Sequence, residues 1–298
     1  MTKESFHSGF VAIVGRTNVG KSTLMNHLIG MKLAITSNKP QTTRRRMQTV
    51  FTNDKGQIVF LDTPGIHLPH NKLSEYMDNV AYKSVSDVDL ILFVVEPETY
   101  IGKGERQMIE RMKQSKKPVI LAVNKCDTAD DEHIAKAIDA YGGAIELKDA
   151  VPVSALKGIN IDRLTDTLIS FLPEGPMLYD EDTVTDETER DIAAEIVREK
   201  VLRNLRDEVP HGVAVSVISF KERDTGLIDI EADIICDKDS HKGIIIGKGG
   251  SMLKKIGIES RKDIEELLET QVNLKLFVKV RKDWRQNPMM LQSLGYKD

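Results

Sequence analysis

Two glycine-rich loops carry the residues whose types and spacing suit phosphate chemistry. The first, GRTNVGKST, runs Gly15, Arg16, Thr17, Asn18, Val19, Gly20, Lys21, Ser22, Thr23 between an apolar run and a helical stretch. A Gly, four residues and Gly-Lys-Ser in that setting form a phosphate-binding loop. Backbone amides of such a loop converge on phosphate oxygens, and the helix start behind them adds a positive dipole. Lys21 is placed to reach the β- and γ-phosphates, and Ser22 to offer its hydroxyl to Mg²⁺. Average composition produces this pattern in about 1% of chains of this length.

Three later stretches fall where strands of such a sheet end, which is where its ligands bind. DTPG, from Asp62 through Thr63 and Pro64 to Gly65, puts a carboxylate near the metal and a glycine near the γ-phosphate. NKCD spans Asn124, Lys125, Cys126 and Asp127. A carboxylate such as Asp127 accepts two hydrogen bonds from the N1–H and 2-amino group of guanine. Adenine lacks that donor pair, and a site built this way rejects the wrong partner by roughly 10⁴. VSAL contributes Ser154, Ala155 and Leu156, whose backbone amides would meet the guanine oxygen. The four stretches together favour GTP and GDP over ATP.

The second loop, IIIGKGGSML, starts at Ile244. It lacks the four-residue spacer and the Ser or Thr for Mg²⁺, so it is not a second nucleotide site. Gly247, Lys248, Gly249 and Gly250 instead form the Gly-x-x-Gly of a KH domain, a loop that clamps the backbone of about four single-stranded nucleotides. The isoleucine run is expected to floor the site under splayed bases. Lys242, Lys254, Lys255, Arg261, Lys279, Arg281, Lys282 and Arg285 are candidate phosphate contacts.

The elements that must position these loops follow from the apolar pattern. GFVAIVG, QIVFLDTPG, LILFVVE, PVILAVNK and AVPVSA read as strands, several of them apolar on both faces as a covered parallel sheet requires. KSTLMNHLIG, KGERQMIERMKQSK and NIDRLTDTLISFLP read as helices, the last with Asn160 or Asp162 as cap. This alternation predicts an α/β fold, a mostly parallel doubly wound sheet. Pro173, Gly175 and Pro176 interrupt it, and an acidic run follows. A GTPase domain is expected over 1–173, a linker over 174–189 and an α+β type II KH domain with a C-terminal tail over 190–298. In the second domain DIAAEIVREKVLRNL is an amphipathic helix with Ile192, Ile196, Val197 and Val201 on one face. GVAVSVISFKE, GLIDIEADIIC and VNLKLFVKVRK alternate as strands.

Composition bounds the function classes. The chain has 298 residues and a formal net charge of −4, which by itself does not point to nucleic acid. Residues 238–285, however, hold 12 Lys and Arg against 7 Asp and Glu, a local +5. Two cysteines, Cys126 and Cys236, argue against a disulfide or zinc framework. No apolar stretch reaches the ~20 residues of a spanning helix. A signal peptide is not expected, and the expected location is the cytoplasm.

The guanine-nucleotide motifs resemble those of the Era family of GTPases, and a GTPase domain followed by a KH domain is that family's arrangement. NKPQTTRRRM, from Asn38, resembles the family's switch segment. Thr42 and Thr43 are its two candidates for Mg²⁺ and the γ-phosphate. Ile66 follows DTPG where Ras-like enzymes carry a water-positioning glutamine. The resemblance therefore implies help from K⁺, held partly by Asn18. It further implies binding of the 3′ end of 16S rRNA and a role in 30S subunit maturation. GTP is expected to order the segment around Thr42 and the loop after Asp62, and so to gate RNA access. A monomer is expected, with peripheral contact to the inner face of the cell membrane. A membrane-associated signalling GTPase is the alternative. Trp284 and Tyr296, near the end, either stack on bases or pack at the domain edge.

Overall fold

The structure is a computed structural model and describes residues 5–36, 43–44, 46–64 and 71–296. The described residues divide into two compact units. The first takes those up to Ala34, those from 43 to 64, and Ser74–Asp186. The second takes Ile35, Thr36, Asn71–Leu73 and Glu187 onward.

In the first unit the strands are β1 (His7–Val14), β2 (Met47–Thr52), β3 (Gly56–Asp62), β4 (Leu90–Val95), β5 (Val119–Val123) and β6 (Asp149–Pro152). They form one sheet in the order β2-β3-β1-β4-β5-β6, with only β2 antiparallel to its neighbour. Its helices are α1 (Lys21–Ile29), α2 (Lys72–Ser86), α3 (Lys103–Ser115), α4 (Asp131–Ala144) and α5 (Ile161–Ser170). Side chains alternate across a strand, so each strand feeds two cores. Val11, Ile13, Leu92 and Ile120 pack with Leu24 and Met25 of α1 and Leu164 and Leu168 of α5. Ala12, Val14, Phe93 and Leu121 pack with Met108 and Ile109 of α3 and Ile134 and Tyr141 of α4. Both faces are thus covered, which explains the near-continuous apolar runs.

Residues 174–186, expected as a linker, are packed on this unit. β2 is an edge strand, so the sheet itself offers no ladder partner to the backbone groups on its outer side. The Val50 amide donates to the Val184 carbonyl at 2.8 Å, and Thr49 pairs with Thr185 in an antiparallel bridge. The buried Gln57 amide binds the Leu178 and Tyr179 amides, the Tyr179 carbonyl and the Thr52 hydroxyl. Asn160 precedes α5 but does not cap it; its Nδ2 donates to the Pro152 carbonyl.

In the second unit α6 (Glu189–Asn204) leads to β7 (Ala214–Glu222) and β8 (Ile228–Cys236). Helices α7 (Asp239–Ile246) and α8 (Ser251–Leu268), β9 (Val272–Val280) and α9 (Pro288–Ser293) follow. The sheet order is β7-β8-β9, β7 antiparallel and β9 parallel to β8. Helix, two strands, two helices, strand is the order expected of the type II KH fold. Helix α6 departs from the amphipathic expectation. Arg198, Glu199 and Lys200 are buried along with Ile192, Ile196, Val197 and Val201. Buried charges persist only when paired: Lys200 bridges Glu199 and Asp263 of α8, and Arg198 holds Glu195 at 2.6 Å.

Candidate functional site

The phosphate loop lies between β1 and α1, where a buried strand must turn into a helix. Gly20 has φ +99°, and a Cβ there would stand 2.2 Å from the Asn124 amide nitrogen. Glycine at this position meets both demands. Inside the loop Lys21 is buried and donates to the Gly15 and Arg16 carbonyls at 3.0 and 2.8 Å. Burial pushes its ammonium down to about 8, although Asp62 pulls the other way. Asn18 is exposed with φ +67°, and Thr63 ties DTPG to β1 by donating to the Ile13 carbonyl at 2.7 Å.

Ser22, Thr43 and Asp62 converge. The Ser22 and Thr43 hydroxyl oxygens are 3.2 Å apart, and the Thr43 hydroxyl donates to Asp62 Oδ2 at 3.1 Å. Asp62 is buried at the C-terminal end of β3, and burial pushes its carboxyl up to about 6 against the pull of Lys21 and the Thr43 hydroxyl. Its Oδ1 has no hydrogen-bond partner among the described residues. A buried carboxylate oxygen left in that state is costly unless a cation meets it. Two hydroxyls and a carboxylate are hard oxygen donors of the kind Mg²⁺ takes. The residues present therefore fit Mg²⁺. Thr42, Gly65 and Ile66 lie outside the described residues.

Asn124 joins the base loop to the phosphate loop. Its Nδ2 donates to the Val19 carbonyl at 2.7 Å, and its Oδ1 accepts from the Ala155 amide at 2.9 Å. One buried side chain thus fixes three of the expected stretches against each other. Lys125 donates to the Asn18 carbonyl at 3.1 Å and pairs with Glu96 at the end of β4. Asp127 is exposed, and Cys126 and the buried Ser154 hold the loops by backbone bonds to Val153 and Ile159. Sequence reasoning did not single out Glu96. The available signal was a carboxylate at the C-terminal end of a buried strand, beside the ligand crevice.

In the second unit Gly247–Gly250 joins α7 to α8. Gly247 has φ +74°, and a Cβ there would meet Met252 at 2.7 Å. Lys248 is exposed beside it. A groove of about 390 Å³ runs from Gly250 along α8 and β9. Leu253, Ile258, Leu274 and Leu276 floor it, with Lys254 and Arg261 at its side. The isoleucine run does not form this floor. Ile245 is in the core, Ile244 is half exposed, and none of the three lines the groove. The groove lies between α8 and β9, and α7 only delivers the chain to the loop. Lys255 and Arg261 stand 3.8 Å from Glu259 and Glu265, and Arg285 is held by Asp237 at 2.6 Å. Lys242 lies on α7, while Lys279, Arg281 and Lys282 are exposed on and after β9. Trp284 is fully buried, donates to the Gly212 carbonyl and stacks on Tyr296, so both rings pack and neither faces a ligand.

The comparisons with known proteins agree with this geometry. A family model described as a 50S ribosome-binding GTPase matches residues 10–125, and a KH domain model matches 208–285. The chain is 56% identical to GTPase Era of Clostridium botulinum, covering 98% of this chain and 99% of that one. It is 52% identical to GTPase Era of Clostridium beijerinckii, covering 98% of this chain and 98% of that one, and 52% identical to that of Clostridium perfringens, covering 98% and 99%. A crystal structure of Era in complex with MgGDPNP and nucleotides 1506–1542 of 16S ribosomal RNA matches with a TM-score of 0.94 at 40% identity. It covers 98% of this chain and 100% of that chain. An Era variant of Aquifex aeolicus bound to GDP and AlF4⁻ gives 0.94 at 41%, with the same coverage.

Proposed function

This chain belongs to the Era family of GTPases, and on that premise we propose that it is a cytoplasmic switch that binds the 3′ end of 16S rRNA and assists 30S subunit maturation. It hydrolyses GTP to GDP and phosphate in its first unit. Little covalent chemistry falls to the protein in such a reaction; positioning and charge neutralisation carry it. Lys21 is aimed from the loop interior at the β- and γ-phosphates. Ser22, Thr43 and Asp62 would hold Mg²⁺, which when bound neutralises charge on the same oxygens. Asp127 would accept the two guanine donors, with Asn124 keeping its loop against the phosphate loop.

What supports the RNA assignment most directly is the groove beside Gly247–Gly250. It is apolar along its floor and cationic at its side, the combination that bases and phosphates need together. The test is fluorescence anisotropy with a single-stranded RNA copying the 3′ end of 16S rRNA, against a scrambled RNA. Gly249 has φ +59° and open space around it, and aspartate tolerates that conformation. Gly249→Asp is therefore expected to keep the fold and to lower affinity at least about tenfold by setting a carboxylate against phosphate. Equal binding of both RNAs, or of both proteins, would sink the assignment.

K⁺ at the phosphate loop belongs to the same proposal. It is supported by Ile66, which cannot orient water, and by the exposed Asn18 in the loop. Hydrolysis is expected to run faster in K⁺ than in Na⁺ buffer, and faster again with the RNA. Equal rates in the two salts would remove K⁺ from the account.

A further inference from the structure

Three carboxylates surround Arg16, the second residue of the phosphate loop, and they are not equivalent. Glu105 is buried and already committed: it accepts from the Gly102 amide at 2.9 Å and the Tyr141 hydroxyl at 2.8 Å, with Arg16 Nε at 3.4 Å. Glu98 is more than half exposed and reaches Arg16 at 3.3 Å. Glu96 differs from both. Its Oε2 accepts from Arg16 Nη2 at 3.0 Å, while its Oε1 takes the Lys125 ammonium. Lys125 in turn donates to the Asn18 carbonyl. One carboxylate at the end of β4 therefore spans the phosphate loop and the base loop.

We propose that Glu96 is a positioning residue that sets the separation of the phosphate loop and the base loop for a guanine nucleotide. The proposal rests on guanine-nucleotide binding by the first unit and is independent of the RNA assignment. A nucleotide engages both loops at once, so any drift between them loses part of one set of contacts. Holding the loops at the bound separation beforehand removes that cost from binding. An isolated exposed ion pair would contribute little. Glu96 is only 22% exposed, uses both oxygens, and belongs to a network with Arg16 and Lys125. Asp127 follows Lys125 by two residues, so freeing Lys125 also loosens the groups that read the guanine edge.

Glu96→Gln is a sharp probe. Glutamine keeps the shape but has one acceptor oxygen and one amide that donates. Only one of the two cations then retains an acceptor, and the other faces N–H groups. GDP and IDP binding would be measured on the full chain by stopped-flow fluorescence, with kcat and KM for GTP. IDP lacks the 2-amino group that Asp127 reads. Expected for Glu96→Gln are GDP affinity and KM worse by about tenfold, through faster release, with kcat within about twofold. Preference for GDP over IDP should fall by about threefold or more, with the melting temperature unchanged. In an Arg16→Ala background the same substitution should cost little, because its remaining oxygen serves Lys125 alone. Unchanged GDP affinity, an equal loss for GDP and IDP, or full additivity with Arg16→Ala would each overturn the proposal. A wild-type chain that fails to bind GDP would overturn the nucleotide assignment as well.

Discussion

Asp62 meets two opposed demands. Packing at the end of a covered strand removes water from it, and metal binding needs it ionised. Burial outweighs the pull of Lys21 and the Thr43 hydroxyl and pushes the carboxyl up to about 6, above the usual carboxylate range. The sign follows directly. A raised carboxylate pKa means protonation of the folded protein as pH falls through about 6, and a protonated Asp62 must release its proton to take Mg²⁺. Mg²⁺ affinity of the GDP-loaded protein is therefore expected to be about tenfold weaker at pH 5 than at pH 7.5, when read by calorimetric titration. Equal affinity at both values would mean that Asp62 is not a ligand. Lys21 is shifted the other way, down to about 8, for the same physical reason: burial disfavours whichever form is charged. At that value the ammonium is still mostly charged at neutral pH, and bound phosphate would stabilise the charge further.

Among the elements, β2 shows how a local rule reaches beyond its own strand. It is the antiparallel edge of the first sheet, and residues 178–185 cover its free side. Gln57 on β3 clips that segment through three contacts to Leu178 and Tyr179. Removing a buried amide with this many partners costs about 2–3 kcal/mol by the usual worth of such bonds. Gln57→Ala should speed hydrogen exchange at the Leu178 and Tyr179 amides by about two orders of magnitude or less, with α3 and α4 unaffected. Exchange that stays at the wild-type rate would show that the segment is held by something other than Gln57. A clipped segment also explains why a stretch rich in acidic residues is not a free linker: its composition is polar, but an open strand edge offers backbone partners.

For the whole molecule, charge is distributed and not averaged. A net −4 coexists with the local +5 of residues 238–285. A KH clamp on about four nucleotides should release counterions from about four phosphates. The log of RNA affinity is then expected to fall with log salt at a slope of about −2.8, close to fiftyfold from 50 to 200 mM. A slope near zero would mean that the basic residues do not meet phosphate. No helix among the described residues is long and apolar enough to cross a membrane.

The amino-acid sequence by itself determined the two-domain α/β plus KH organisation and the four guanine-nucleotide stretches. The cause is local: glycine spacing, strand and helix periods and a base-reading carboxylate are written in neighbouring residues. The strands β1, β3, β4 and β5 were legible because their short apolar runs, bounded by turn residues, suit a sheet covered on both faces, and β6 was legible from its alternation in AVPVSA. Helices α2 and α4 and strand β2 were not singled out, since their apolar positions are sparser and their place depends on the sheet they cover. Only the tertiary structure decided that Glu96 spans two loops, that α8 and β9 floor the groove in place of Ile244–Ile246, and that Trp284 is buried. It also decided that Arg198, Glu199 and Lys200 lie inside. Apart from the local Arg198–Glu195 and Lys200–Glu199 pairs, these depend on partners tens of residues away, and the lining of a groove or the burial of a charge is a property of folded neighbours, not of a residue's own segment.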